Sequence, residues 1–159
     1  MNPSHLIGIA RQLAGGGGRT GRPRQTDLCR AISATYYAQF HTLARCCADM
    51  MAGITRAGRN QAAWEQTYRA LEHGYARNQC RNLESMRQFT VAIREFGGHF
   101  VTMQRFRHYA DYAPSTEFER SQVMNLVEET ERIIRQFNSA PAGERRAFSI
   151  HVLLRTRRD

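Results

Sequence analysis

From Leu28 to Met50 the apolar residues return every three, four or seven positions: Leu28, Ile32, Tyr36, Leu43, Cys47 and Met50. That spacing places them on one face of a helix, and so long an apolar face is satisfied only by packing against other helices. The same rhythm runs through Phe89, Ile93, Phe96, Phe100, Met103 and Phe106, and again through Val123, Leu126, Val127, Thr130, Ile133, Ile134 and Phe137. No stretch alternates with period two for long enough to make a strand. The pattern predicts an all-α fold, an antiparallel helical bundle of about four main helices plus short terminal helices. At 159 residues and 42% apolar content, the chain has the size and side chains of one domain with one core.

Punctuation sets the expected boundaries. A short amphipathic helix covers residues 5–14 and stops at Gly15 to Gly18. Residues 15–25, GGGGRTGRPRQ, read as a flexible loop carrying three arginines. Thr26 or Asp27 caps the first long helix, which runs to about Met51. Beyond Gly53 to Gly58, a helix from Gln61 to Gln79 puts Trp64, Tyr68, Leu71 and Tyr75 on one stripe, with His73-Gly74 as a weak point. Residues 78–85 read as a polar bend. A helix from Met86 to Tyr112 follows, and Gly97-Gly98 within it costs about 1 kcal/mol per residue relative to alanine. Such a pair marks a close helix approach or a kink. Pro114 prevents continuation. Thr116-x-x-Glu119 has the form of a capping box and opens a helix to about Asn138. Pro141 opens the last helix, Ala142 to Arg155, whose apolar side is Ala147, Phe148, Ile150, Val152, Leu153 and Leu154.

Charge narrows the partners. The net charge is +9, and all 23 basic residues are arginines. Guanidinium groups suit phosphate and stack on bases, so the charge points to a polyanionic partner, nucleic acid ahead of membrane. Arginine-rich codon usage accounts for the bias as well. No apolar run reaches the ~20 residues of a membrane span, and Met1 to Leu13 lacks the pattern of a secretory signal, which predicts a cytoplasmic protein without a membrane partner. Cys29, Cys46, Cys47 and Cys80 form no zinc-ligand spacing and read as core or near-core thiols. Neither a metal nor a cofactor is expected.

Two segments carry hydrogen-bonding side chains on helices that must also supply core. In Arg30-Ala-Ile-Ser33-Ala-Thr-Tyr36-Tyr37-Ala-Gln-Phe40-His41, the side chains of Arg30, Ser33, Tyr37 and His41 share a face. In Arg105-Phe-Arg107-His108-Tyr109-Ala-Asp111-Tyr112, so do Arg105, His108 and Tyr112, while Arg107 and Asp111 are spaced for an ion pair. Polar sets of this kind commonly fix helix register.

Both segments, in this order, resemble the "RxAxSxxYYAxFH" helix and the "R…ADY" helix end of a bacterial branch of the HEPN superfamily, over roughly residues 26–137. The resemblance implies a HEPN-like bundle, often a homodimer, associated with RNA in toxin–antitoxin, defence or RNA-processing systems. An antitoxin-like protein is the partner it implies. Active members are metal-independent endoribonucleases with an arginine, four to six residues, a histidine, and a tyrosine two places later. The histidine moves a proton during attack of a ribose hydroxyl while the arginine stabilises phosphate charge. Placed on this chain, Arg105 and Tyr112 fit, but the histidine position is Ala110, which cannot transfer a proton. His108 lies two residues early, about 200° around the helix. Arg94-x4-His99 is a second match, without the tyrosine.

The expected catalytic set is therefore Arg105, His108 and Tyr112, and the expected nucleic-acid contacts are Arg30, Tyr37, His41, Arg105, Arg107 and Asp111. Three functions follow: an RNA-binding module with a degenerate ribonuclease motif, an endoribonuclease with a displaced histidine, and a protein-binding helical module. Tyr112 also corresponds to a tyrosine that partner nucleotidyltransferases modify in some HEPN toxins.

Overall fold

A computed structural model describes residues 1–16 and 21–155. Among these residues the protein is all-α, with eight helices and no strand: α1 Pro3–Ala14, α2 Gln25–Ala52, α3 Gln61–Ala70, α4 His73–Arg81, α5 Leu83–Met86, α6 Val91–Tyr112, α7 Arg120–Ser139 and α8 Ala142–Leu153. Residues 17–20 of the expected 15–25 loop, and the tail beyond Arg155, lie outside the described residues.

Helix α2 is central and packs against α1, α3, α6, α7 and α8. Its apolar stripe is buried from Leu28 to Met50. The α6 stripe from Ile93 to Met103 and the α7 stripe from Val123 to Phe137 are buried with it, in one continuous core. Phe96 stacks on Phe137 with centroids 4.1 Å apart, and Phe148 of α8 closes edge-on against Phe137 at 6.0 Å. Burying a side chain of this size contributes roughly 1.5–3 kcal/mol. No described helix is long and apolar enough to cross a membrane.

Buried polar groups fix the register of these helices. Gln39 of α2 donates from Nε2 to the Phe96 carbonyl at 2.9 Å, where α6 crosses. His99 of α6 is bonded to Thr130 Oγ1 of α7 at 2.7 Å. Gly97 is a point of close approach: a Cβ there would lie 2.8 Å from Met86 Cε and 3.4 Å from Cys80 Sγ. Helix α6 runs through Gly97-Gly98 unbroken, so the pair serves packing on one side, and Gly98 faces open space.

Several boundaries differ from the periodicity. The expected helix over 61–79 is two helices, broken at Leu71-Glu72 rather than at His73-Gly74, with Leu71 extended and buried. Helix α4 then continues to Arg81, so the bend expected over 78–85 narrows to Asn82, which is extended between α4 and α5. Helix α6 starts at Val91, not Met86, because Leu83–Met86 forms its own short turn of helix capped by Asn82. Neither Thr26 nor Asp27 caps α2. Arg24 occupies that position without a side-chain bond, and Gln25 instead anchors the helix start by exchanging two 2.9 Å hydrogen bonds with the Phe118 backbone. Thr116 forms no capping box, since Glu119 is the residue before α7 and the Thr116 N–H closes a turn to Ala113. Helix α8 ends at Leu153 rather than Arg155, with Leu154 extended; Ala147, Ile150 and Leu154 are exposed, and only Phe148 and Val152 of the expected apolar side are fully buried.

Candidate nucleic-acid interface

The two chemistry-bearing segments, more than sixty residues apart in sequence, meet where α2 crosses the end of α6. Ser33 Oγ donates to Asp111 Oδ1 at 2.8 Å. Arg107 Nε lies 2.6 Å from Asp111 Oδ2, the ion pair expected from their spacing, although the N–H is not aligned for a full hydrogen bond. The guanidinium carbon of Arg107 sits 5.5 Å from the Tyr37 ring centre and 5.9 Å from that of Tyr36, within cation–π range. Asp111 thus aims Arg107 rather than presenting a free carboxylate.

Behind Arg107 lies a group of aromatic and imidazole rings. His73, at the start of α4, stacks on Phe40 at 3.8 Å with an interplanar angle of 11° and is hydrogen-bonded through Nδ1 to the Tyr36 hydroxyl. His41 stacks on Tyr37 and is bonded through Nδ1 to the Tyr68 hydroxyl of α3. Trp64 continues the stack on Tyr68, and Arg59 covers Trp64 at 4.3 Å. Burial, reinforced by Arg107 and His41, pushes the His73 pKa down, and burial does the same to His41. Burial also raises Tyr36 and Tyr68. Both pairs are therefore held neutral, the forms in which a phenol donates to an imidazole nitrogen.

On the open side, α4 and α6 enclose a cleft of about 480 Å³ lined by Arg77, Arg81, Arg105, Arg107, His108 and Tyr109 among others, with no carboxylate in its lining. The Nε atom of Arg77 is buried without a hydrogen-bond partner among the described residues, whereas that of Arg107 faces Asp111. Four guanidiniums facing one concavity repel one another, so the arrangement favours an anion between them.

The expected residues divide as follows. Arg105, Arg107 and His108 line the cleft. Tyr112 is 66% exposed outside that lining, with its ring 5.1 Å from His108. Tyr37 and His41 stand behind Arg107 in the ring stack. Arg30 is exposed and makes no side-chain contact to the cleft. His99 is buried at 8% exposure against α7, with its pKa pushed down chiefly by burial, while Arg94 is exposed on another face of α6. The two therefore do not converge. Cys46, Cys47 and Cys80 are buried and Cys29 is half-buried, as expected of core thiols, and burial pushes Cys47 and Cys80 up to about 12.

Sequence reasoning missed Arg77, Arg81 and His73. The four-residue spacing of Arg77 and Arg81 is a visible signal, but an expected bend over 78–85 puts Arg81 outside the helix that carries Arg77. Nothing local pointed His73 at Tyr36 and Phe40.

Compared with family models, curated proteins and solved structures, the chain matches none.

Proposed function

We propose that this chain is a HEPN-like, RNA-associated binding module with a degenerate ribonuclease motif, acting in a toxin–antitoxin, defence or RNA-related setting. One observation carries the reading: Arg77, Arg81, Arg105 and Arg107 face a single cleft without a lining carboxylate, beside the R-x-R-H-x-A-D-Y segment. The phosphate backbone supplies the counter-charge for Arg77, Arg81 and Arg105, which have no carboxylate at ion-pair distance among the described residues, while Asp111 and Ser33 hold Arg107 beside them. Ala110 stands where the motif histidine belongs, so RNA is held rather than cut. The module works as a homodimer or with an antitoxin-like partner, for which the exposed Tyr109 and Tyr112 at the end of α6 offer contact area. The test is binding of a labelled RNA to wild type and to Arg105→Glu, a cleft residue at the surface. Loss of affinity in a folded variant is the expected result.

The location of His108 favours a second reading. It lines the same cleft as Arg105, one turn of α6 away, where a proton could pass to or from a bound ribose phosphate. Metal-independent cleavage in EDTA, abolished by both Arg105→Ala and His108→Ala, is what that reading requires. Uncut RNA in that assay, with binding intact, favours the binding module.

A further inference from the structure

A second groove shares no lining residue with the cleft. It lies where the start of α1, the C-terminal half of α2, the end of α7 and α8 converge, and encloses about 400 Å³. Arg45, Arg135 and Arg145 line it, together with Asn2, whose amide oxygen caps α1, and Asn138. Two carboxylates, Asp49 and Glu131, also border it, and each is engaged by a cation outside the lining. Glu131 pairs with Arg11 at 2.8 Å. Asp49 Oδ1 accepts from Trp64 Nε1 at 2.8 Å and lies 3.6 Å from Arg59. Arg45 reaches Asp49 at 3.8 Å, with its side chain 60% exposed. Arg135 and Arg145 have no carboxylate within ion-pair distance among the described residues. Arg145 is fixed through Nε to the Ala140 carbonyl at 3.0 Å, with its guanidinium beside the Cys46 thiol of the same lining.

We propose that this groove binds a small, non-aromatic phosphate monoester. Three guanidiniums around one concavity suit a dianion better than a monocarboxylate, and the planar fork matches phosphate oxygens in pairs. The amides of Asn2 and Asn138 donate to the ester or hydroxyl oxygens. No aromatic side chain lines the groove, so a nucleobase finds no ring to stack on. The volume is at the small end of ligand sites, large enough for a phosphorylated polyol. The proposal does not depend on RNA binding at the cleft.

The test is thermal unfolding of the full chain with glycerol 3-phosphate at constant ionic strength, beside sodium chloride and succinate. At about ten times its dissociation constant, the phosphate ester raises the midpoint by about 4 °C. Neither chloride nor succinate does so. Arg135→Glu, at an exposed position, abolishes the shift, Arg145→Gln weakens it, and Arg105→Glu in the cleft leaves it intact. No shift beyond chloride, an equal shift with succinate, a shift retained in Arg135→Glu, or a shift lost in Arg105→Glu overturns the proposal.

Discussion

Ser33 of α2 donates a 2.8 Å hydrogen bond to Asp111, in the last turn of α6, so one carboxylate joins the two polar segments and holds Arg107 from its other oxygen. Asp111→Asn keeps the shape and removes the charge. The side chains of Arg107 and Asp111 are 25% and 29% exposed, so solvent screens part of the interaction. The expected loss is about 1 kcal/mol of stability in denaturant unfolding. A double-mutant cycle with Arg107→Gln gives a coupling of about 0.5–1 kcal/mol. Additive effects would mean the pair is incidental.

The buried histidines set a pH dependence. His41, His73 and His99 have folded pKa values below their ordinary value, chiefly through burial. The unfolded chain therefore binds more protons, and stability rises with pH through this range. Full stability is present above the ordinary histidine pKa of about 6.5 and is lost as pH drops from there towards the lower folded values, below which the loss is complete. His99 is also faced by Glu129, which opposes the shift, and by Arg132, which adds to it. His99→Gln retains a partner for Thr130 and cannot titrate. Its unfolding midpoint between pH 7 and 5 should slope less steeply than that of wild type.

The adjacent glycines of α6 should respond in opposite directions. A Cβ at Gly98 meets nothing within 4 Å, so Gly98→Ala stabilises by about 0.5–1 kcal/mol through helix propensity. At Gly97 the methyl of Met86 and the thiol of Cys80 fill the space, and Gly97→Leu destabilises by about 1–3 kcal/mol. Thermal unfolding of the two variants checks both signs.

The long stripes of α2, α6 and α7 were legible because one buried face recurs over several turns in each. Boundaries set by tertiary contacts were not. The break before α4 places His73 on Phe40 and Tyr36, more than thirty residues away, and no local residue signals it. The start of α2 was misread for a similar reason, since Gln25 satisfies the Phe118 backbone across the fold where a capping side chain was expected. Of the cleft, the α6 half was legible in part: spacing put Arg105 and His108 on one face, but with Tyr112, which lies outside the lining, and gave Arg107 only as the partner of Asp111. The α4 half was not legible, because the expected bend over 78–85 takes in Arg81 and leaves Arg77 in the helix before it. The pairing of Arg107 with Asp111 followed from helix geometry alone, whereas the hydrogen bond from Ser33 required the crossing of two helices.

The central claim is that the arginine cleft holds RNA phosphates, and the salt dependence of binding tests it most directly. Fluorescence anisotropy of a labelled single-stranded RNA gives the affinity of wild type and of Arg81→Gln/Arg105→Gln between about 50 and 300 mM salt. The log of the wild-type association constant should fall linearly with log salt, and the double variant should bind more weakly with a slope shallower by about 1.4, or 0.7 per lost contact. Binding that ignores salt, or one slope shared by both proteins, would contradict the account.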